Sequence, residues 1–285
     1  MNKIILVNKE KNWTSRDVVN FISKKFNNKK VGHFGTLDPL ATGLLVIGIG
    51  SFTKVGNLFT YDTKEYICEV LLGVSTNTYD VTGDILRKEN FNVTKEELET
   101  VLNSFKKTYN QEVPIYSAVK VNGKKLYEYA RNNEEVDLPK KEVTIYDIAF
   151  LDLYNKDDNT YFRFKCKVSK GTYIRSLIND ISKELNIPMC MSNLQRIKQD
   201  KLSVNDSYTI EDIKNDNYRL LNLEDIFDIQ KIEIEEKLEK KIINGSLIDN
   251  IYNKDKIIFT KNNNNFVLYT VYEKDKTKLK PFLFY

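Results

Sequence analysis

Residues 31–45 read Val31-Gly32-His33-Phe34-Gly35-Thr36-Leu37-Asp38-Pro39-Leu40-Ala41-Thr42-Gly43-Leu44-Leu45. Proline at 39 biases Asp38 away from the helical region toward an extended backbone, while Gly32, Gly35 and Gly43 allow another chain to approach closely. Residues 31–43 are therefore expected to form a loop that displays the Asp38 carboxylate, followed by a buried strand over 44–49. A bare Asp-Pro is most often a turn in which the aspartate bonds its own backbone. The density of glycine and threonine around this pair favours a shaped loop with a task.

Working outward toward the amino terminus, residues 4–8 form a short β-like run. Thr14 with Asp17 three residues later makes a capping box that opens a helix. That helix brings Val18, Val19, Phe21, Ile22 and Phe26 close to one face and stops at Asn27-Asn28. In the other direction, 65–72 reads as a strand and the polar stretch 75–84 as an exposed loop. Thr94 and Glu97 cap a second helix, on which Leu98, Val101, Leu102 and Phe105 recur at helical spacing. Residues 143–153 and 161–168 are β-rich and suggest a hairpin with a long tip at Asn155-Lys156-Asp157-Asp158-Asn159. A third helix carries Ile174, Leu177, Ile178, Ile181 and Leu185 on its apolar side.

After Phe227 the character changes to a Lys/Glu-rich helix that Gly245 would stop, then to short strands around 262–265, where four asparagines form a turn. The pattern predicts an α+β domain over 1–228, with a mixed, mainly antiparallel central sheet and flanking helices. A small β-rich module over 229–285 follows, too small to hold much core alone.

A chain of 285 residues exceeds the usual single-domain size of about 100–200, in keeping with that division. Its longest apolar run, 44–49, is far short of the roughly 20 residues of a membrane helix. The stretch 4–7 is too short for the core of a secretory signal, so the cytoplasm is the expected location. Cys68, Cys166 and Cys190 are scattered and read as free thiols; with His33 the only histidine, a Cys/His zinc site is excluded. A net charge of +4 leaves nucleic acid open as a partner without requiring it. Gly48-Ile49-Gly50 lacks the third glycine of a dinucleotide fingerprint, and Lys170-Gly171-Thr172 inverts the P-loop order, so neither supports a nucleotide cofactor.

The loop from Gly32 to Leu45 resembles the signature of the tRNA pseudouridine-55 synthase family, the TruB group, in which the pattern is GxxGTLDPxAxGxL. Four further stretches match in the same order: Lys64-Glu65-Tyr66; Tyr116-Ser117-Ala118-Val119-Lys120; Gly123-Lys124-Lys125-Leu126-Tyr127-Glu128-Tyr129-Ala130-Arg131; and Ser169-Lys170-Gly171-Thr172-Tyr173-Ile174-Arg175-Ser176-Leu177. The resemblance covers about residues 1–200. Ile115 stands where the family often has proline, and after Leu194-Gln195-Arg196 the chain departs from the usual Thr, Gly and aromatic continuation. The last 55 or so residues resemble the family's small PUA-like RNA-binding module only loosely.

The resemblance implies isomerisation of a uridine in the tRNA T-loop, position 55, to pseudouridine. The N-glycosidic bond breaks, the uracil turns, and C5 bonds to C1′ while losing its proton. No redox change or external group enters, so no cofactor is implied. Asp38 would be the essential carboxylate, attacking the sugar or assisting formation of a glycal. Arg175 would hold it ionised in a desolvating site. Tyr66 and Tyr173 would line the base pocket, with Tyr66 also a candidate for proton removal from C5. Leu194 would supply an apolar wall, and His33 would fill the gap left by the flipped uridine. Lys120, Lys124, Lys125 and Arg131 could meet phosphates. The expected partner is the T-stem-loop of tRNA, met by a monomer without metal. Two rival readings are a non-catalytic tRNA-binding or tRNA-folding protein and the same isomerase chemistry on another RNA.

Overall fold

The computed structural model describes residues 1–59 and 63–285. In chain order its strands begin with β1 (Lys3–Lys9), β2 (Val31–His33), β3 (Thr42–Ile49), β4 (Lys64–Leu72), β5 (Val74–Thr76), β6 (Ile85–Lys88) and β7 (Thr108–Glu112). They continue with β8 (Lys120–Val121), β9 (Lys124–Lys125), β10 (Lys140–Lys156), β11 (Asn159–Val168), β12 (Met189–Gln199) and β13 (Leu202–Ser203). Nine of these form one sheet among the described residues, in the order β1-β3-β12-β4-β11-β10-β7, with β2 on β3 and β13 on β12. The β3–β12 pair is parallel, while the other ladders in this sheet run antiparallel. The expected mixed, mainly antiparallel sheet is thus present.

Two helices follow from their capping boxes. In α1 (Ser15–Lys25) the Thr14 side chain accepts from the Asp17 amide while Asp17 accepts from the Thr14 amide, and Thr94 with Glu97 does the same for α2 (Lys95–Ser104). A short helix α3 (Leu126–Arg131) follows β9, and α4 (Ile174–Leu185) ends at Asn186, whose left-handed φ of 52° closes the last turn. Their apolar faces pack on the sheet: Val18, Ile22, Leu98, Leu102, Leu177 and Ile181 share one core with Ile47, Val70, Phe162 and Phe164. Each such fully buried aliphatic contributes about 1.5–3 kcal/mol relative to exposure.

Three expectations are corrected. The segment 31–43 is not all loop: Val31–His33 pairs with β3, so a strand enters the loop and a strand leaves it. The β10–β11 hairpin has a short tip, since Asn155 and Lys156 still pair with Thr160 and Asn159. Asp157 and Asp158 turn the chain alone, at φ 49° and 59°, the left-handed pair that matches strand twist. The stretch 75–84 is an ordered turn held against β12, with Thr76 and Asp80 buried.

The carboxy-terminal part is a five-stranded sheet built from Gln230–Glu233, Lys256–Lys261, Asn264–Tyr272, Asp275–Phe284 and Ile248–Asp249, with the helix Glu236–Ile243 ending just before Gly245 at φ +65°. Asn262 and Asn263 form the expected turn, both at positive φ. This sheet has a small core of its own around Ile257, Phe259, Val267 and Tyr269. Its other face is not independent: Ile258, Leu268 and Leu283 enter the same cluster as Ile4, Leu6, Leu44 and Val46 of β1 and β3.

Candidate active site

The loop between β2 and β3 is pinned by backbone-directed bonds on both sides of Asp38. Upstream, the Ser15 hydroxyl donates to the Leu37 carbonyl at 3.0 Å and accepts from the Leu37 amide at 2.9 Å. Lys9, with no exposed surface, gives its ammonium to the carbonyls of Glu10, Trp13 and Pro39, and burial pushes its pKa down to about 8 against the opposing pull of Asp38. The Ala41 amide donates to the Asp38 carbonyl at 3.0 Å, closing a turn with proline at its second position. Only the backbone of Asp38 closes that turn. Its carboxylate is left half-exposed and meets Arg175, with Nε 3.0 Å from Oδ2.

Arg175 lies in the first turn of α4 and is 7% exposed. Its remaining nitrogens are committed: Nη1 donates to the Thr78 carbonyl at 3.0 Å and Nη2 to the Tyr116 carbonyl at 3.0 Å. Asp80 stands behind it, Oδ2 at 3.9 Å from Nη1. The other Asp80 oxygen accepts from the Thr82 amide at 2.9 Å and from the Thr78 and Thr82 hydroxyls. The guanidinium is therefore fixed at three corners, and its Nε is aimed at Asp38.

Tyr66 of β4 and Arg196 of β12 are direct cross-strand partners. Burial raises the Tyr66 pKa, and the neighbouring Arg196 guanidinium opposes the shift. Leu194, two residues before Arg196, is buried on the same side of its strand. Tyr173 precedes α4, and burial raises its pKa as well, with Arg175 pulling the other way. These groups and His33 line one open cleft of about 820 Å³, together with Tyr116, Ser117, Tyr127 and Lys170. Burial, then the charges of Arg196 and Arg16, lower the His33 pKa, so the imidazole is held neutral. The fold brings Asp38, Arg175, Tyr66, Tyr173, Leu194 and His33 to this single cleft. Such a site can present one carboxylate beside a fixed cation and hold a planar ring between aromatic and apolar walls.

The family described as TruB family pseudouridylate synthase (N terminal domain) matches residues 23–174. The chain belongs to this family. It is 38% identical over 298 residues to the tRNA pseudouridine synthase B of Bacillus cytotoxicus, covering 99% of this chain and 96% of that one. It is 40% identical over 293 residues to the protein of the same name from Staphylococcus saprophyticus, covering 98% and 96%. Among solved structures, a chain of the crystal structure of a Cbf5-Nop10-Gar1 complex shares the fold, with a TM-score of 0.67 at 22% identity over 94% of this chain and 78% of that chain. TruB-family membership accounts for the five ordered motifs and for the sheet that carries them.

Arg196, which lines this TruB-family cleft, and the supporting residues Gln199 and Asp80 were not singled out by the sequence. Arg196 is fully buried and donates through Nε to the Leu44 carbonyl at 2.7 Å and through Nη2 to the Gly35 carbonyl at 3.0 Å, spanning the Asp38 loop. Gln199 is also buried and donates to the Phe34 carbonyl at 2.8 Å. Gly43, at φ +96°, lets β3 reach this strand: a Cβ there would sit 2.3 Å from the Arg196 carbonyl oxygen. Arg196 was findable, because strand period two puts it on the Leu194 face. Asp80 was findable too, since an aspartate with threonine two residues away on either side is an invitation to a side-chain-closed turn. Among the described residues no cluster of three or more His, Cys, Asp or Glu could hold a metal ion, the three cysteines are free and buried, and no helix is long and apolar enough to cross a membrane.

Proposed function

We propose that this chain converts one uridine in the T-loop of tRNA, position 55, to pseudouridine, as a cytoplasmic monomer using neither metal nor cofactor. Asp38 is the essential carboxylate. It acts at C1′ of the ribose, as nucleophile or by assisting glycal formation, while the N1–C1′ bond breaks; C5 then bonds to C1′ and gives up its proton, and N1 takes one. Arg175 holds Asp38 ionised when the RNA closes the cleft and removes water. Tyr66 and Tyr173 flank the base, and Tyr66 also takes part in removing the C5 proton. Leu194 forms the apolar wall. His33, a neutral residue of the cleft lining, fills the space left when the uridine leaves the stack, a step that costs a few kcal/mol.

The observation that carries this reading is the Asp38–Arg175 pair at 3.0 Å, open to the cleft on the carboxylate side and closed on the guanidinium side. The names of the bacterial relatives support tRNA as the RNA. We assign residues 1–228 to catalysis and 229–285 to a PUA-like RNA-binding module. The test is tritium release from C5-labelled uridine in a T-stem-loop. Release by the unaltered protein and none by Asp38→Asn is expected. Release by both would remove Asp38 from its role, and release from neither, with RNA shown to be bound, would favour a binding protein.

A further inference from the structure

Gln111 is 1% exposed on β7, the edge strand of the main sheet, and both ends of its amide are used. Its Oε1 accepts from the Tyr173 amide at 2.8 Å, and its Nε2 donates to the Tyr109 hydroxyl at 2.9 Å. That hydroxyl in turn donates to Asp180 Oδ2 at 3.0 Å. Tyr173 immediately precedes α4 and Asp180 lies two turns along it, so one strand grips the helix at two points on one side. Tyr173 has no side-chain cap for its helix; its own amide is held by a side chain from another element. Five residues beyond Gln111, the Tyr116 carbonyl takes Nη2 of Arg175. The same stretch of chain thus fixes the amide of one cleft residue and the guanidinium of another.

A glutamine is the residue type this junction needs. A single side chain must offer one acceptor to a peptide N–H and one donor to a phenol whose own proton is already given to a carboxylate. Buried and fully satisfied, such a chain is rigid, and losing one member leaves the others unpaired. We propose that Gln111 is a positioning residue for the isomerisation: through Tyr173 N–H and the Tyr109–Asp180 pair it sets the start of α4, and so the placement of the Tyr173 ring and of Arg175 against Asp38. This rests on the functional reading above, which assigns Tyr173 and Arg175 to the reaction. Neither Gln111 nor Tyr109 is a catalytic residue in this scheme.

The test uses the full chain with three variants: Gln111→Met, which keeps volume and removes both polar contacts; Gln111→Glu, which keeps the acceptor and regains a donor only when protonated; and Tyr109→Phe. Two readouts are taken, amide hydrogen exchange at Tyr173 and single-turnover tritium release at saturating T-stem-loop, with the RNA dissociation constant measured alongside. For Gln111→Met the expected result is faster exchange at Tyr173, a single-turnover rate lowered about tenfold or more, and RNA affinity within about twofold of the unaltered protein. Gln111→Glu should recover activity relative to the unaltered protein as pH falls, because burial at this site and the nearby Asp180 carboxylate favour the neutral acid, which reproduces the amide's donor and acceptor. Faster exchange with an unchanged rate would overturn the proposal, and so would equal losses in rate and affinity. If Gln111→Met does not fold, Tyr109→Phe decides the matter by the same two readouts. An unaltered protein that releases no tritium would sink the functional reading instead, and the exchange data would still show whether the tether exists.

Discussion

Replacing Arg196 by methionine tests the claim that the Asp38 loop is held from β12. The substitution keeps an unbranched side chain of similar reach and removes the donors to the Leu44 and Gly35 carbonyls, which lie on either side of Asp38. Each buried carbonyl left without a partner costs about 1–3 kcal/mol, which puts the gross loss at about 2–6 kcal/mol. No longer burying a cation offsets part of it, so a net destabilisation of about 3 kcal/mol is expected. Trp13 is the single tryptophan, and its carbonyl accepts from Lys9 near the same loop, so its fluorescence reports urea unfolding at the relevant place. The midpoint should fall with an unchanged slope. Under conditions where the variant is fully folded, tritium release should still be at least about tenfold slower, because a carboxylate on a loosened loop is misplaced by fractions of an ångström. Arg196→Lys should fall between the two, since one ammonium reaches only part of what the guanidinium spans. A destabilisation under about 1 kcal/mol, together with full activity, would refute the reasoning.

Other consequences can be checked with the same material. Asp38→Asn should lower tritium release by at least about 10³-fold while leaving the urea midpoint nearly unchanged, since only the backbone of Asp38 closes its turn; a folded variant with a tenth of normal activity would contradict this. Asp80→Asn keeps the bonds from Thr82 but removes the charge behind Arg175, and should slow the reaction about 10- to 100-fold without altering RNA affinity, as read by separate rate and binding measurements. His33 has a lowered folded pKa, so the unfolded chain takes up its proton first and stability is lost as pH falls below about 6.5. Urea midpoints between pH 7.5 and 5.5 should show a smaller decline in His33→Gln than in the unaltered protein. RNA affinity should fall linearly on a log–log plot against salt, with loss of slope on neutralising Lys124 and Lys125, which sit on Tyr129 and Tyr127 at the cleft-side hairpin.

Much of this molecule was legible because local rules and tertiary structure agree where it was read. Thr14 and Thr94 announced their helices, and the spacing of Val18, Ile22, Leu98 and Leu102 gave the faces that are buried. The motif positions converged on one cleft. Reading failed where composition has two physical meanings. Thr76, Thr78 and Asp80 look like a solvated loop, yet their polar groups bond to one another and to Arg175 beneath the surface. The inward turn of Arg196 and Gln199 to satisfy loop carbonyls went unread, because that need is visible only when two distant segments meet. Asp157-Asp158 hid the short hairpin tip, since neither residue is the glycine that such turns usually advertise.

The apolar cluster shared by β1, β3 and the carboxy-terminal sheet makes heat or urea act on the chain as one cooperative unit rather than two. Leu44 and Val46 are as much the floor of the carboxy-terminal sheet as they are the strand that ends the Asp38 loop. A calorimetric trace should therefore show a single transition, and Leu268→Ala, outside the residues that line the cleft, should move that transition and the temperature at which turnover is lost by the same number of degrees. Inactivation by heat in this enzyme would then be set by the carboxy-terminal sheet as much as by the cleft.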